Sequence, residues 1–348
     1  MPNARAAHLT RRGILAAGGA LGLGAVLAAC GDDDKSGDSS DKETTAAKSG
    51  PWTFKDDRGT TVKLDKAPAN IVAFVGLAAA LYDYGIGVKG VFGPTRTKAG
   101  KADVQAGDMD ISKLTVLGNE WGQFNVEKYA ALAPDVLITT MFDGAGTLWY
   151  VPDDSKDKIA KLAPSVGISA YDRQLTVPLQ RVWALAESLG ADMTASKATD
   201  AKKRFEEASS RLRAAAKAHP GITVMAGSAA QDLFYVSGSN LSVDLEYFKA
   251  LGVNLVEPSA SVLKASGGWY ESLSWENVDK YKADIIMMDD RTATIQPADI
   301  TQATWKKLPA VKAGQVIARS PEPIFSYDKC VAMVENLAKA IETAKKVS

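Results

Sequence analysis

The sequence predicts an α/β protein of two lobes, each a mainly parallel sheet covered by helices, joined by one long helix with a ligand cleft between the lobes. Three observations predict it. Short β-rich runs alternate with amphipathic stretches in both halves, one helix-to-strand pattern occurs twice, and a long helix-forming stretch separates the two copies. At 348 residues, 46% hydrophobic and 24% charged, the chain has the length for about two domains with sizeable cores.

From the start of the body, Trp52 to Leu64 alternates as a hairpin does, with Asp57-Arg58-Gly59 suited to its turn. Strands are then predicted over 71–75, 88–92, 136–140 and 166–169, with helices over 77–84, 125–132 and 154–162. The second half repeats the style, with strands over 222–226, 285–288 and 315–318 and helices over 243–251, 275–281 and 327–344. The internal match is Asn125-Val126-Glu127-Lys128-Tyr129 against Asn277-Val278-Asp279-Lys280-Tyr281. Each copy runs on into an aspartate and an apolar strand, at Asp135-Val136-Leu137-Ile138 and Asp284-Ile285-Ile286-Met287. Between the halves, Leu175 to His219 is helix-forming except near Gly190-Ala191-Asp192, and Leu179, Val182, Trp183, Ala186 and Leu189 share one face. The expected division is an N-terminal lobe over 51–174, an inter-lobe helix over 175–197 and a C-terminal lobe over 198–348.

The first fifty residues read differently. A basic stretch ends in Thr10-Arg11-Arg12, seventeen apolar residues follow from Gly13 to Ala29, and Leu27-Ala28-Ala29-Cys30 closes the run. Five glycines and the short length fit an export signal over 1–29 better than a membrane span. The paired arginines resemble a twin-arginine (Tat) signal, with the general secretory route as the alternative. Leu-Ala-Ala-Cys resembles the bacterial lipobox, which implies acylation of Cys30 and anchoring to the outer face of the cytoplasmic membrane. Residues 30–50 are polar and fit a disordered tether. Acylated Cys30 leaves Cys330 as the only other cysteine, so no disulfide is expected, and Cys330 is expected to pack on the C-terminal helix.

Composition excludes several classes. Removing residues 1–29 takes away Arg5, Arg11 and Arg12 and no acid, leaving 38 basic against 41 acidic groups. Such a body has no basic footprint for nucleic acid. After residue 29 the only histidine is His219, no Gly-x-Ser-x-Gly occurs, and Gly93 to Lys101 lacks phosphate-loop spacing. An exported enzyme is therefore the weaker alternative, and one histidine does not make a zinc or manganese site. No cofactor is called for, and the body is expected to be a monomer.

In open α/β lobes, ligands meet the loops at the carboxyl ends of strands. Those loops carry Arg96, Trp121, Trp149 and Tyr150 in the first half, and Tyr235, Trp269, Tyr270 and Arg291 in the second. Aromatic rings beside glycine and polar residues favour a wetted cleft rim over a core. Arg173 and Arg319 are further donor candidates, and Glu120, Asp143 and Asp290 are interspersed among the arginines.

Three segments carry a family resemblance. Ala67-Pro68-Ala69-Asn70-Ile71-Val72-Ala73, then Ala133-Pro134-Asp135-Val136-Leu137-Ile138, then Leu308-Pro309-Ala310-Val311-Lys312-Ala313-Gly314-Gln315-Val316 occur in order. Over about residues 52–345 the chain resembles the periplasmic-binding-protein family that carries siderophores, haem and cobalamin to ABC permeases. The resemblance implies a ferric siderophore as cargo, with haem, cobalamin or bare ferric ion held by Tyr150, Tyr235 and Tyr270 as alternatives. Scattered arginines mixed with acids point to a neutral or weakly charged hydroxamate complex over an anionic catecholate. The family also docks its permease through a surface glutamate on each lobe. Glu246 matches that position before Leu251-Gly252, whereas the equivalent N-lobe position is Ala79, with Asp83 as a weak substitute.

Overall fold

The computed structural model describes residues 50–348. The export signal, Cys30 and all but the last residue of the predicted tether lie outside the described residues. Strands β1 (Trp52–Lys55) and β2 (Thr61–Leu64) form the antiparallel hairpin. Asp56 closes its loop, its Oδ1 accepting from the backbone N–H of Arg58 and of Thr60 at 3.0 Å each. Arg58 then donates to the Ser165 carbonyl at 2.6 Å, which ties the hairpin to the lobe behind it.

That lobe holds β3 (Ile71–Phe74), α1 (Val75–Asp83), β4 (Gly90–Phe92), β5 (Thr115–Val116), α2 (Val126–Ala131), β6 (Val136–Met141), α3 (Lys156–Leu162) and β7 (Ser165–Ser169). Its strand order is β5-β4-β3-β6-β7 with every pairing parallel. Covered on both faces, β3 and β6 are buried at every residue, which is why they read as unbroken apolar runs. The connection onward is helical: α4 (Thr176–Ser188), a break at Gly190, and the longer α5 (Ser196–Ala218).

The second lobe adds β8 (Thr223–Ala229), β9 (Leu233–Ser237), α6 (Val243–Ala250), β10 (Asn254–Leu255), α7 (Ala260–Leu263), β11 (Tyr270–Ser274) and β12 (Ile285–Asp289). The chain finishes with α8 (Ala303–Lys307), α9 (Pro309–Lys312), β13 (Val316–Arg319) and α10 (Tyr327–Thr343). Its sheet is mixed, in the order β11-β9-β8-β12-β13, with β10 also on β8; β9 and β11 run antiparallel. One apolar core runs from the first lobe through α4, α5, α6 and α10. A second lies on the other face of the C-lobe sheet around Phe234, Trp275 and Trp305. Cys330 is buried in α10, as expected.

The repeat is visible in three dimensions. Order β3-β6-β7 in one lobe matches β8-β12-β13 in the other. In both, the aspartate before the central strand clamps the start of its neighbour. Asp135 Oδ2 accepts from the N–H of Ala69 and of Asn70 at 2.8 Å, and Asp284 Oδ2 accepts from the N–H of Thr223 at 2.9 Å. The preceding segments diverge. Asn125 caps α2, accepting from Lys128 N–H at 2.8 Å. The predicted helix over 275–281 is only a 3-10 turn, Trp275–Asn277. Trp275 and Val278 are held in the second core while Lys280 and Tyr281 both bond to Glu271 of β11, so tertiary contacts replace the helical bonds over this stretch.

Asp284 also holds the chain's end: Val347 and Ser348 N–H donate to Oδ1 at 2.7 and 2.8 Å, and Lys346 Nζ to Oδ2 at 2.9 Å. Burial pushes this carboxyl up, but the donors outweigh burial and hold it below the ordinary carboxylate range. Replacing it, Asp284→Asn, should cost about 1–3 kcal/mol at pH 7, because the amide removes the charge and one of the two oxygens that accept from these donors. A depressed folded-state value means the contribution is complete above about pH 4 and shrinks as pH falls further. Urea unfolding of both proteins at pH 7 and pH 3 checks this, and a gap that widens at pH 3 would contradict it.

Candidate ligand cleft

The parallel strands of both lobes end toward one another, and their following loops build the cleft. After β5 the chain turns at Gly118, where an added Cβ would lie 1.9 Å from the Gln123 carbonyl oxygen, so only glycine fits. The loop closes when Asn125 N–H donates to the Leu117 carbonyl at 2.7 Å, and Trp121 stands out at its tip, 60% exposed. After β6 the chain returns against its own strand. Trp149 N–H donates to the Thr140 carbonyl at 2.9 Å, and Thr139 Oγ1 donates to the Trp149 carbonyl at 2.9 Å. Tyr150 follows in the left-handed region, φ +59°, a conformation that bulky residues adopt only under constraint.

These loops assemble an aromatic wall. Trp121 lies 4.7 Å from Trp149 and 5.1 Å from Tyr150, and Tyr150 leans on Phe74 at 5.5 Å between ring centroids. Burial, and then the nearby Glu322 charge, push the Tyr150 phenol up to about 12, so it is a hydrogen-bond donor at neutral pH.

The C-lobe answers with a charged cluster. Asp289, buried at the end of β12, accepts from Arg291 Nη2 at 2.7 Å and from Ser228 Oγ at 2.8 Å. Arg291 Nη1 pairs with Glu322 in the loop after β13. Burial would lower this guanidinium's pKa, but the two carboxylates outweigh it and raise it. Glu322 Oε2 in turn accepts from Trp149 Nε1 and Gln105 Nε2, each at 3.2 Å, so one carboxylate joins the lobes. Thr292 to Asp103, Ser326 to Asp83 and Lys329 to Asp108 are further inter-lobe bonds.

Of the residues named from sequence, Trp121, Trp149, Tyr150 and Arg291 are brought to this junction. Tyr235 and Tyr270 form a separate pair, 4.9 Å between centroids, on β9 and β11, with Trp269 packed beside the core. Tyr150 has no ring contact with that pair among the described residues. The Arg96 guanidinium donates to the Ile111 carbonyl at 2.7 Å. Arg319, named as a donor candidate, is buried against Asp244. Asp83 is also withdrawn as a docking substitute, because it is buried and bonded to Ser326. Glu322 and Gln105 were not singled out from sequence; their partners lie 31 to 217 residues away.

A family model described as a periplasmic binding protein matches residues 72–323. The chain belongs to that family. Membership makes it an extracytoplasmic solute-binding protein rather than an enzyme. Among solved structures it is similar to DesE, a ferric-siderophore receptor protein from Streptomyces coelicolor, at 76% identity and TM-score 0.84, covering 85% of this chain and 100% of that one. It also shares the fold of the siderophore periplasmic binding protein from the fuscachelin gene cluster of Thermobifida fusca, at 22% identity and TM-score 0.56, covering 79% and 96%. Staphylococcus aureus FhuD2 with bound ferrioxamine B is comparable, at 20% identity and TM-score 0.53, covering 78% and 98%. No protein of curated function matches the chain. Among the described residues no helix is long and apolar enough to cross a membrane, and no three His, Cys, Asp or Glu side chains are grouped to hold a metal ion.

Proposed function

We propose that this protein captures a ferric siderophore of hydroxamate type outside the cytoplasmic membrane and delivers it to an ABC importer. The observation that carries the reading is the 76% identity to a ferric-siderophore receptor over that receptor's whole length. The aromatic wall supports it: Trp121, Trp149 and Tyr150 cover hydrocarbon, while Tyr150 and Arg291 present donors to chelate oxygens. Tyr235, Trp269 and Tyr270 would form an opposing wall, and Arg96 would brace the N-lobe loops. Acyl chains on Cys30 would hold the body at the membrane, each buried methylene contributing about 0.8 kcal/mol. Glu246, half-buried on α6 and in no salt bridge among the described residues, would dock the permease.

Tryptophan fluorescence of the full chain, titrated with ferric hydroxamates, ferric catecholates, haem and cobalamin, tests the reading. Saturable quenching by a ferric hydroxamate at submicromolar concentration is expected. A response to haem or cobalamin alone would overturn the cargo while leaving the transport role.

A further inference from the structure

We propose that Glu322 sets the charge specificity of the cleft: by cancelling Arg291 it leaves this wall anionic and turns away anionic iron chelates. The inference rests on the siderophore reading above. Arg291 is the arginine that the fold brings to the aromatic wall, and its charge is already matched by carboxylates, although one N–H on each terminal nitrogen is left for a chelate oxygen. Nε and Nη2 bond to Asp289 at 3.0 and 2.7 Å, and Nη1 pairs with Glu322. Two carboxylates on one guanidinium leave an excess negative charge.

Glu322 is no loose rim charge. Its side chain is 12% exposed, and its second oxygen is held from the other lobe by Trp149 and Gln105. Beside it lies a cavity of about 180 Å3, lined by Gln105, Asp290, Arg291, Ser320 and Lys329 among others. Gln105 Oε1 and Asp290 Oδ1 are buried without a hydrogen-bond partner. Neither oxygen offers a donor to an anionic chelate. The other cation lining that cavity, Lys329, is paired with Asp108. Half-buried charges are weakly screened, so one negative charge at this wall acts on a chelate several ångströms away.

Glutamine at 322 keeps the shape and the acceptor oxygen but removes the charge. The test is the ratio of dissociation constants for a neutral or cationic ferric trihydroxamate and an anionic ferric tris-catecholate, measured on the full chain. Wild type should favour the hydroxamate, and Glu322→Gln should narrow that preference by about ten- to thirtyfold, chiefly by tightening the catecholate. Glu322→Asp should keep the preference. Glu276→Gln, an exposed carboxylate lining a different cavity of the C-lobe, should leave it unchanged. An unaltered ratio in Glu322→Gln, or an equal shift in Glu276→Gln, would overturn the proposal while leaving the siderophore reading intact. Wild type that binds neither chelate would defeat the siderophore reading and this inference with it. Should the glutamine variant fail to fold, wild type decides alone. Catecholate affinity that rises with added salt is the expected result, and affinity that falls shows attraction and refutes the proposal.

Discussion

Replacing Trp121 by alanine should weaken binding of a ferric hydroxamate by roughly thirtyfold and leave the unfolding midpoint nearly unchanged. The two halves of that result have separate causes. Trp121 is 60% exposed at a loop tip, so folding gains little from its burial, and truncation there stays within the small range of surface substitutions. Cargo laid against the wall would cover much of the ring. Covering about 80 Å2 of apolar surface contributes about 2 kcal/mol, which is near thirtyfold in affinity. Trp149→Ala should lose at least as much affinity and some stability as well. Its ring packs on Phe142 and Trp121, and its Nε1 supplies one of the bonds that join the lobes. Calorimetric titration with urea unfolding of the same samples separates the two effects. Unchanged affinity in Trp121→Ala would place the cargo away from this wall.

The fold was legible where burial is two-sided or capping is local. Strands β3, β6, β8 and β12 are apolar because both faces are covered, and Asn125 announces α2 by its own capping bond. The pair Asp135 and Asp284 was visible as a repeated aspartate before a strand, although its role as a clamp on the neighbouring strand was not. Strand β11 was hidden, since Tyr270-Glu271-Ser272-Leu273-Ser274 is an edge strand with only Leu273 buried. Four of the residues named from loop position come together at the junction, because strand ends in parallel sheets converge whatever their composition. Loop position could not rank them. Whether an arginine at a strand end faces cargo or a buried acid depends on partners far away in the chain. Arg291 meets Glu322, and Arg319 meets Asp244, 75 residues upstream.

That second pair carries the largest stability effect expected here. Arg319 Nε and Nη2 grip Asp244 Oδ2 and Oδ1 at 2.7 and 2.9 Å, Nη1 reaches Ser237 Oγ at 3.1 Å, and the two side chains are 3% and 0% exposed. Removing the guanidinium leaves a buried carboxylate without its counter-charge, so Arg319→Ala should lose about 3–5 kcal/mol. Lysine should rescue little, because an ammonium cannot make the two parallel bonds that the planar fork makes. Removing both charges together, Arg319→Met with Asp244→Leu, should recover most of the loss, since much of the single-variant cost is the stranded charge rather than the bond. The double-mutant cycle in urea measures that coupling. Cargo affinity adds an independent readout. Arg319 pairs in register with Asp289, the residue that holds Arg291, so its loss should loosen the cleft only as far as it loosens the fold. In folded Arg319→Lys protein the hydroxamate should bind nearly as in wild type. A lysine variant of unchanged stability but much reduced cargo affinity would make Arg319 a cargo donor instead of an internal strut.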